Sequence, residues 1–136
     1  MKNIITATIE FYFKGEKFTP SLTIELDEHM QSSGSIPNLY PLIARESNID
    51  LYSYEYEMML AEAIKITKAE GIISDFVENE LLNTEEFEKA WKKQKILTEL
   101  EDIVKRNMGI DNLDQHPDLK QTLLYVYYLD RNPSSR

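Results

Sequence analysis

The stretch ITATIEFYFKGEKFTPSLTIEL, Ile5 to Leu26, decides the fold class. Ile5, Ala7, Ile9, Phe11 and Phe13 alternate with Thr6, Thr8, Glu10 and Tyr12. Phe18, Leu22, Ile24 and Leu26 alternate in the same way with Thr19, Ser21, Thr23 and Glu25. Side chains on a strand point to opposite faces in turn, so each segment reads as a strand with one buried face. Lys14-Gly15-Glu16-Lys17 lies between them, and a two-residue Gly-X turn at Gly15-Glu16 suits a type II′ hairpin. That turn pairs Phe13 with Phe18, Phe11 with Pro20, Ile9 with Leu22, Ala7 with Ile24 and Ile5 with Leu26. All these pairs share one face, and a slip of one residue would set apolar against polar throughout. Pro20 has no N–H to give a ladder, so it is expected at an open edge or a bulge.

Two strands are marginal in water, and the apolar face needs a cover. The chain downstream supplies helices. Leu39, Leu42 and Ile43 have helical spacing and place a short helix over about 39–47. LYSYEYEMML, Leu51 to Leu60, alternates as a strand would, but helical phase gathers Leu51, Tyr54, Met58, Tyr52, Tyr56 and Met59 into one broad apolar face. We read a helix over about 51–63, capped by Asp50 or Ser53. Ile64-Lys65-Ile66 reads as an extended link, and Thr67-Lys68-Ala69-Glu70 as a capping box for a helix carrying Ile72, Ile73, Phe76 and Val77. Gly71 weakens that helix and would allow close packing. Thr84-Glu85-Glu86-Phe87 opens the longest helix, with its phase uneven around Lys92–Lys95, and Asn107-Met108-Gly109 closes it. Pro117 and Asp118 open a last helix. His29 to Pro37, HMQSSGSIP, reads as a loop, and residues 132–136 as a frayed tail.

The expected fold is therefore α+β, an N-terminal antiparallel β-hairpin packed against four or five α-helices. Its 136 residues, 42% apolar, fit a single globular domain over 1–131.

Composition narrows the function. There is no cysteine, which removes disulfides, zinc–thiolate sites and thiol nucleophiles and fits a cytoplasmic protein. The N-terminal run carries no secretory pattern, and no segment approaches the roughly 18 apolar residues of a membrane helix. The formal net charge is −9, and residues 45–83 hold nine acids against Arg45, Lys65 and Lys68. Such a chain repels nucleic-acid backbones and anionic membranes, so neither is expected as a partner. Four glycines leave no phosphate cradle, and no dinucleotide or nucleophile-elbow motif occurs, so no cofactor is expected.

Two sets of residues remain as candidates. Tyr52, Tyr54 and Tyr56, with Glu55 and Glu57, form a possible interaction surface, since tyrosine adds apolar area and a hydroxyl at small entropic cost. The plainer expectation is that the tyrosines pack between helix and sheet with their hydroxyls at the rim. The rival is a ligand, metal or enzyme site built from His29, His116 and carboxylates such as Asp27. Asp27-Glu28-His29 sits at a strand end, where neighbours point apart, so no metal is expected there. His116-Pro117-Asp118 matches the tripeptide of J-domain co-chaperones, but the basic helix that precedes it in those domains is missing. Trp91 reads as a core anchor. The leading expectation is a small, acidic, non-catalytic module that binds a protein partner or pairs with itself through the hairpin edge.

Overall fold

The structure, a computed structural model, describes residues 2–110 and 112–131; the tail expected at 132–136 lies outside the described residues. It is a mixed α+β fold, with antiparallel strands and, among the described residues, five α-helices. The chain divides into two compact units, residues 1–91 and 92–136.

The first unit begins with the hairpin. Its strands are β1 (Ile4–Thr8), β2 (Phe11–Phe13), β3 (Glu16–Phe18) and β4 (Ser21–Glu25). The register is Ile5↔Ile24 and Ala7↔Leu22, continuing as Phe11↔Phe18 and Phe13↔Glu16. This corrects the expected pairing by two residues. The turn is Lys14-Gly15, with φ of +53° and +76°, and positive φ at both central residues is the type I′ signature. A slip of two conserves every face, so the apolar pattern had no power to choose between the two turns. Phe11 and Phe18 stack at 5.1 Å across the strands.

Pro20 also departs from expectation. Its carbonyl accepts the Ile9 N–H at 3.0 Å, so its missing donor points at β1 and not at the outer edge. Ile9, Glu10, Thr19 and Pro20 all fall outside the strands, so the hairpin is interrupted at the level of the lost ladder bond.

A third strand, β5 (Lys65–Glu70), pairs with β1 and gives the order β4-β1-β5. The expected link and capping box are in fact this strand. Its register shifts between Thr6 and Ala7, which leaves Thr67 as a bulge. Ile66 and Ala69, its inward residues, are therefore three apart, a spacing that mimics a helix. Gly71 then leads into a 3-10 turn, Ile72–Phe76, where a full helix was expected. A small hairpin of β6 (Val77–Glu78) and β7 (Leu81–Leu82) follows.

The helices of this unit are α1 (Asp27–Ser33), α2 (Leu39–Glu46), α3 (Tyr54–Leu60) and the start of α4 (Thr84–Met108). Helix α1 replaces the first part of the loop expected at His29–Pro37, and residues 34–37 remain outside helix and strand. Asp27 and Glu28 favour the positive end of its dipole, Met30 is its buried residue, and Gly34 closes it at φ +72°. Helix α3 is shorter than expected; Ser53 Oγ accepts the Tyr56 N–H as its N-cap. The core joins Ile5, Ala7, Ile9 and Phe11 to Met30, Ile43, Met59, Ile66, Ile73, Phe87 and Trp91.

In the second unit α4 continues unbroken to Met108, through the Lys92–Lys95 segment where a kink was anticipated. Gly109, at φ +69°, follows its end, and α5 (Pro117–Arg131) completes the unit. Ile96, Val104 and Leu113 are its buried apolar residues.

The β6–β7 turn carries a testable strain. Asn79 and Glu80 have φ of +53° and +63°, a second type I′ turn. The Glu80 carbonyl accepts the Ile66 N–H at 2.7 Å, which ties the turn to β5. A left-handed conformation at a residue with a Cβ costs roughly 1–2 kcal/mol, and glycine's extra unfolded-state entropy returns about half of the gain. Glu80→Gly is expected to stabilise by about 0.5–1 kcal/mol, read as a higher urea midpoint at unchanged m-value.

Candidate functional site

Three features of the first unit are candidates. The first is the surface of α3. Asp50 Oδ1 accepts the Tyr52 N–H at 2.9 Å, and Ser53 Oγ donates to the Asp50 carbonyl at 2.6 Å. These bonds fix the entry to the helix, and fully buried Met59 anchors it to the core. With Met59 inward, Tyr56 is half-buried and joins the core margin. Tyr52 and Tyr54 are 99% and 75% exposed. The tyrosines therefore do not pack together between helix and sheet. Met58 and Leu60 are also exposed, and Tyr54 and Met58 stand one turn apart on the same stripe. Glu57 is exposed beside them and Glu55 is half-buried.

The second feature is a cleft of about 400 Å³, lined by Ile36, Leu39, Tyr40, Ile64, Leu81 and Leu82 among others. Several polar groups at its walls are already engaged. Tyr40 Oη donates to the Glu62 carbonyl at 2.6 Å, and Asn38 caps α2 by accepting the Tyr40 N–H at 3.2 Å. The Ile36 N–H donates to Glu88 Oε2 at 2.7 Å. A smaller hollow of about 250 Å³ lies against Glu10, Tyr12, Glu62, Ala63 and Lys65. Neither was foreseen, because their walls come from segments far apart in the chain.

The third is a polar cluster beneath the sheet. Asn3 is 2% exposed, the one buried polar residue among those described. Its backbone N–H donates to Asp27 Oδ2 at 2.7 Å and its Nδ2 to Asp27 Oδ1 at 3.0 Å. Asn3 Oδ1 accepts the Ile73 N–H at 3.0 Å, and its carbonyl accepts the Leu26 N–H at 2.9 Å. Trp91 Nε1 donates to Asp27 Oδ1 at 3.2 Å. The cluster thus ties β1, α1, the 3-10 turn and α4 at one point. Burial alone would raise the Asp27 pKa. The hydrogen bonds from the Asn3 backbone and side chain and from the Trp91 indole outweigh it and hold the carboxyl below its ordinary value.

Asp27 is therefore committed to the fold. His29 lies in α1, in the first unit, while His116 precedes α5 in the second. Asp114, near His116, pairs with Lys120 at 2.8 Å. Among the described residues no three of histidine, aspartate and glutamate converge as metal ligands. Among them, too, no helix is long and apolar enough to cross a membrane. The chain matches no family model, no curated protein and no solved structure.

Proposed function

We propose that this protein is a small, non-catalytic, cytoplasmic module for protein–protein interaction or self-association. The observation that carries the reading is the exposure of Tyr52, in the turn before α3, and of Tyr54, at the first residue of that capped, core-anchored helix. A protein gains nothing in stability from displaying aromatic rings to water, whereas rigid tyrosines are efficient anchors for a partner. Glu55 and Glu57 supply negative charge within and around that surface, so the matching partner carries basic groups at its rim. The net charge of −9 argues against nucleic acid and anionic membranes as partners. Pairing with a second copy through the hairpin edge belongs to the same reading.

A photo-cross-linking residue at Tyr54 is expected to give discrete protein adducts in cell extract, and one at exposed Lys93 none. A thermal-shift screen against divalent metals, nucleotides and metabolites supplies the opposing result. A ligand at 100 times its Kd adds roughly 2.7 kcal/mol. A reproducible shift that disappears in His29→Ala or His116→Ala would replace the module reading with a ligand site.

A further inference from the structure

The sheet has two outer edges, and they are defended differently. On β5 the edge is broken by the Thr67 bulge, lined by Lys65 and Lys68, and capped where Ile66 donates to Glu80. Bulges, lysines and covering segments are the usual means by which proteins blunt a sheet edge. On β4 neither a bulge nor a lysine is present, and among the described residues no backbone hydrogen bond covers the edge. Ser21–Glu25 is five residues long, holds no lysine, proline or bulge, and pairs with β1 in unbroken register. No other described strand pairs with it.

The direction of its free groups follows from the ladder. Ile9 bonds to Pro20 and Leu26 bonds to Asn3, so the hydrogen-bonded pairs with β1 are Ala7↔Leu22 and Ile5↔Ile24. The N–H and C=O groups of Ser21, Thr23 and Glu25 therefore point outward. Pro20 takes no part in this edge, because its nitrogen faces β1.

We propose that the β4 edge pairs antiparallel with β4 of a second copy of this chain, with Thr23 opposite Thr23 on the two-fold axis. The inference rests on the self-association arm of the function proposed above. That register sets Ser21 opposite Glu25 and uses all three outward residues of each strand, giving six backbone hydrogen bonds. It places Leu22 opposite Ile24 of the other copy, at the closer, non-bonded positions. Both are half-buried and lie against the core, so the second copy extends an apolar layer already in place. Ser21 and Thr23 line the exposed face, and no glutamate stands opposite a glutamate. Helix α2 packs against both β1 and β4, but among the described residues no backbone hydrogen bond joins it to Ser21, Thr23 or Glu25. The second copy is favoured over an unrelated strand because the two-fold register is self-complementary, setting Leu22 against Ile24, Thr23 against Thr23 and Glu25 against the neutral Ser21. A strand pair of this length covers less than the roughly 1,200 Å² of a standard interface, so the dimer is weak and concentration-dependent.

Sedimentation velocity across a concentration series tests this with Thr23→Lys, which places two ammonium groups face to face on the axis. Thr23 is exposed and its hydroxyl meets that of Thr6 at 2.9 Å, so Thr6→Ala, which loses the same contact without adding a charge, is the control for any effect on the monomer. The expected result is a reversible dimer in wild type and a Kd raised at least about tenfold in the variant, the cost of one repulsive contact of roughly 1.4 kcal/mol. Because the chain has no cysteine, Thr23→Cys is a clean register probe. A hydrogen-bonded pair spaces its Cα atoms about 5.5 Å apart, within disulfide reach. Thr23→Cys should therefore form a disulfide dimer, and Ser21→Cys should cross-link chiefly to Glu25→Cys in a mixture. A wild type that stays monomeric, or a dimer indifferent to Thr23→Lys, overturns the proposal. If the Tyr54 adducts survive that outcome, the interaction reading stands with another partner.

Discussion

Gly71→Ala is expected to lower stability by about 4 kcal/mol, the largest single effect of a one-carbon change in this chain. Gly71 has φ +91° and ψ −163°, a region essentially closed to residues with a side chain. A Cβ there would lie 2.5 Å from the Lys2 carbonyl oxygen, 2.7 Å from Asn3 Oδ1 and 3.1 Å from Asn3 Cα. Two of these neighbours are backbone of the segment that leads into β1, alongside which Gly71 runs. The third is the oxygen that accepts the Ile73 N–H, so moving aside breaks that bond. Backbone strain contributes about 1–3 kcal/mol, and the displaced buried bond about as much again. The control is Gly109→Ala, at φ +69° with nothing within 4 Å of its Cβ. It carries the strain of a left-handed residue alone, roughly 1–2 kcal/mol. Chemical denaturation of both variants separates the two contributions. A Gly71→Ala loss no larger than that of Gly109→Ala would remove the close approach from the account.

Gly71 also shows where the sequence was legible. Close packing was readable as a reason for Gly71, although the glycine was placed within a helix; the packed partner, almost seventy residues earlier, was not. The α+β class and the long helix from Thr84 followed from periodicity, because each long segment repeats its pattern several times. Strand β5 did not, since the Thr67 bulge turned a two-residue spacing into three at the one place where alternation was needed. The hairpin register failed for a different reason. Both candidate turns placed the same residues inward, and the choice rested on Lys14 accepting a positive φ, which side-chain pattern does not report. Helix α1 was hidden because seven residues with a single buried side chain show no period at all.

Among the candidate residues, exposure separated what sequence left joined. Helical phase put Tyr52, Tyr54 and Tyr56 on one broad face, yet of that face the fold packs only Leu51, Tyr56 and Met59 against the core. Helix α3 spans seven residues, and Leu51 and Tyr52 lie before it in a turn, outside the helical phase. The Asn3 cluster had one available signal. Asn3 shares parity with Ile5, Ala7, Ile9 and Phe11, so alternation alone sets a polar residue on the inward face. A buried amide must be satisfied, and its partners at Asp27 and Ile73 became visible only through topology.

The same cluster makes the second large prediction. Asp27→Asn is expected to destabilise by about 3 kcal/mol, although it changes one atom. Every bond that the carboxylate makes to Asn3 and Trp91 is one it accepts. An asparagine keeps one accepting oxygen and turns the other position into a donor, which then faces the donors of Asn3 or Trp91. Trp91→Phe removes one of the same bonds, so the two substitutions together should cost less than their sum. The pH dependence supplies an independent readout. The folded pKa of Asp27 is depressed, so its stabilisation is fully present above the unfolded value near 4 and is lost as pH falls through the folded value. Wild-type stability should therefore decline below about pH 4 more steeply than that of Asp27→Asn, with the two curves converging as the acid limit is approached. Parallel curves would mean that the carboxylate charge contributes nothing in the folded state, and that the cluster acts through shape alone.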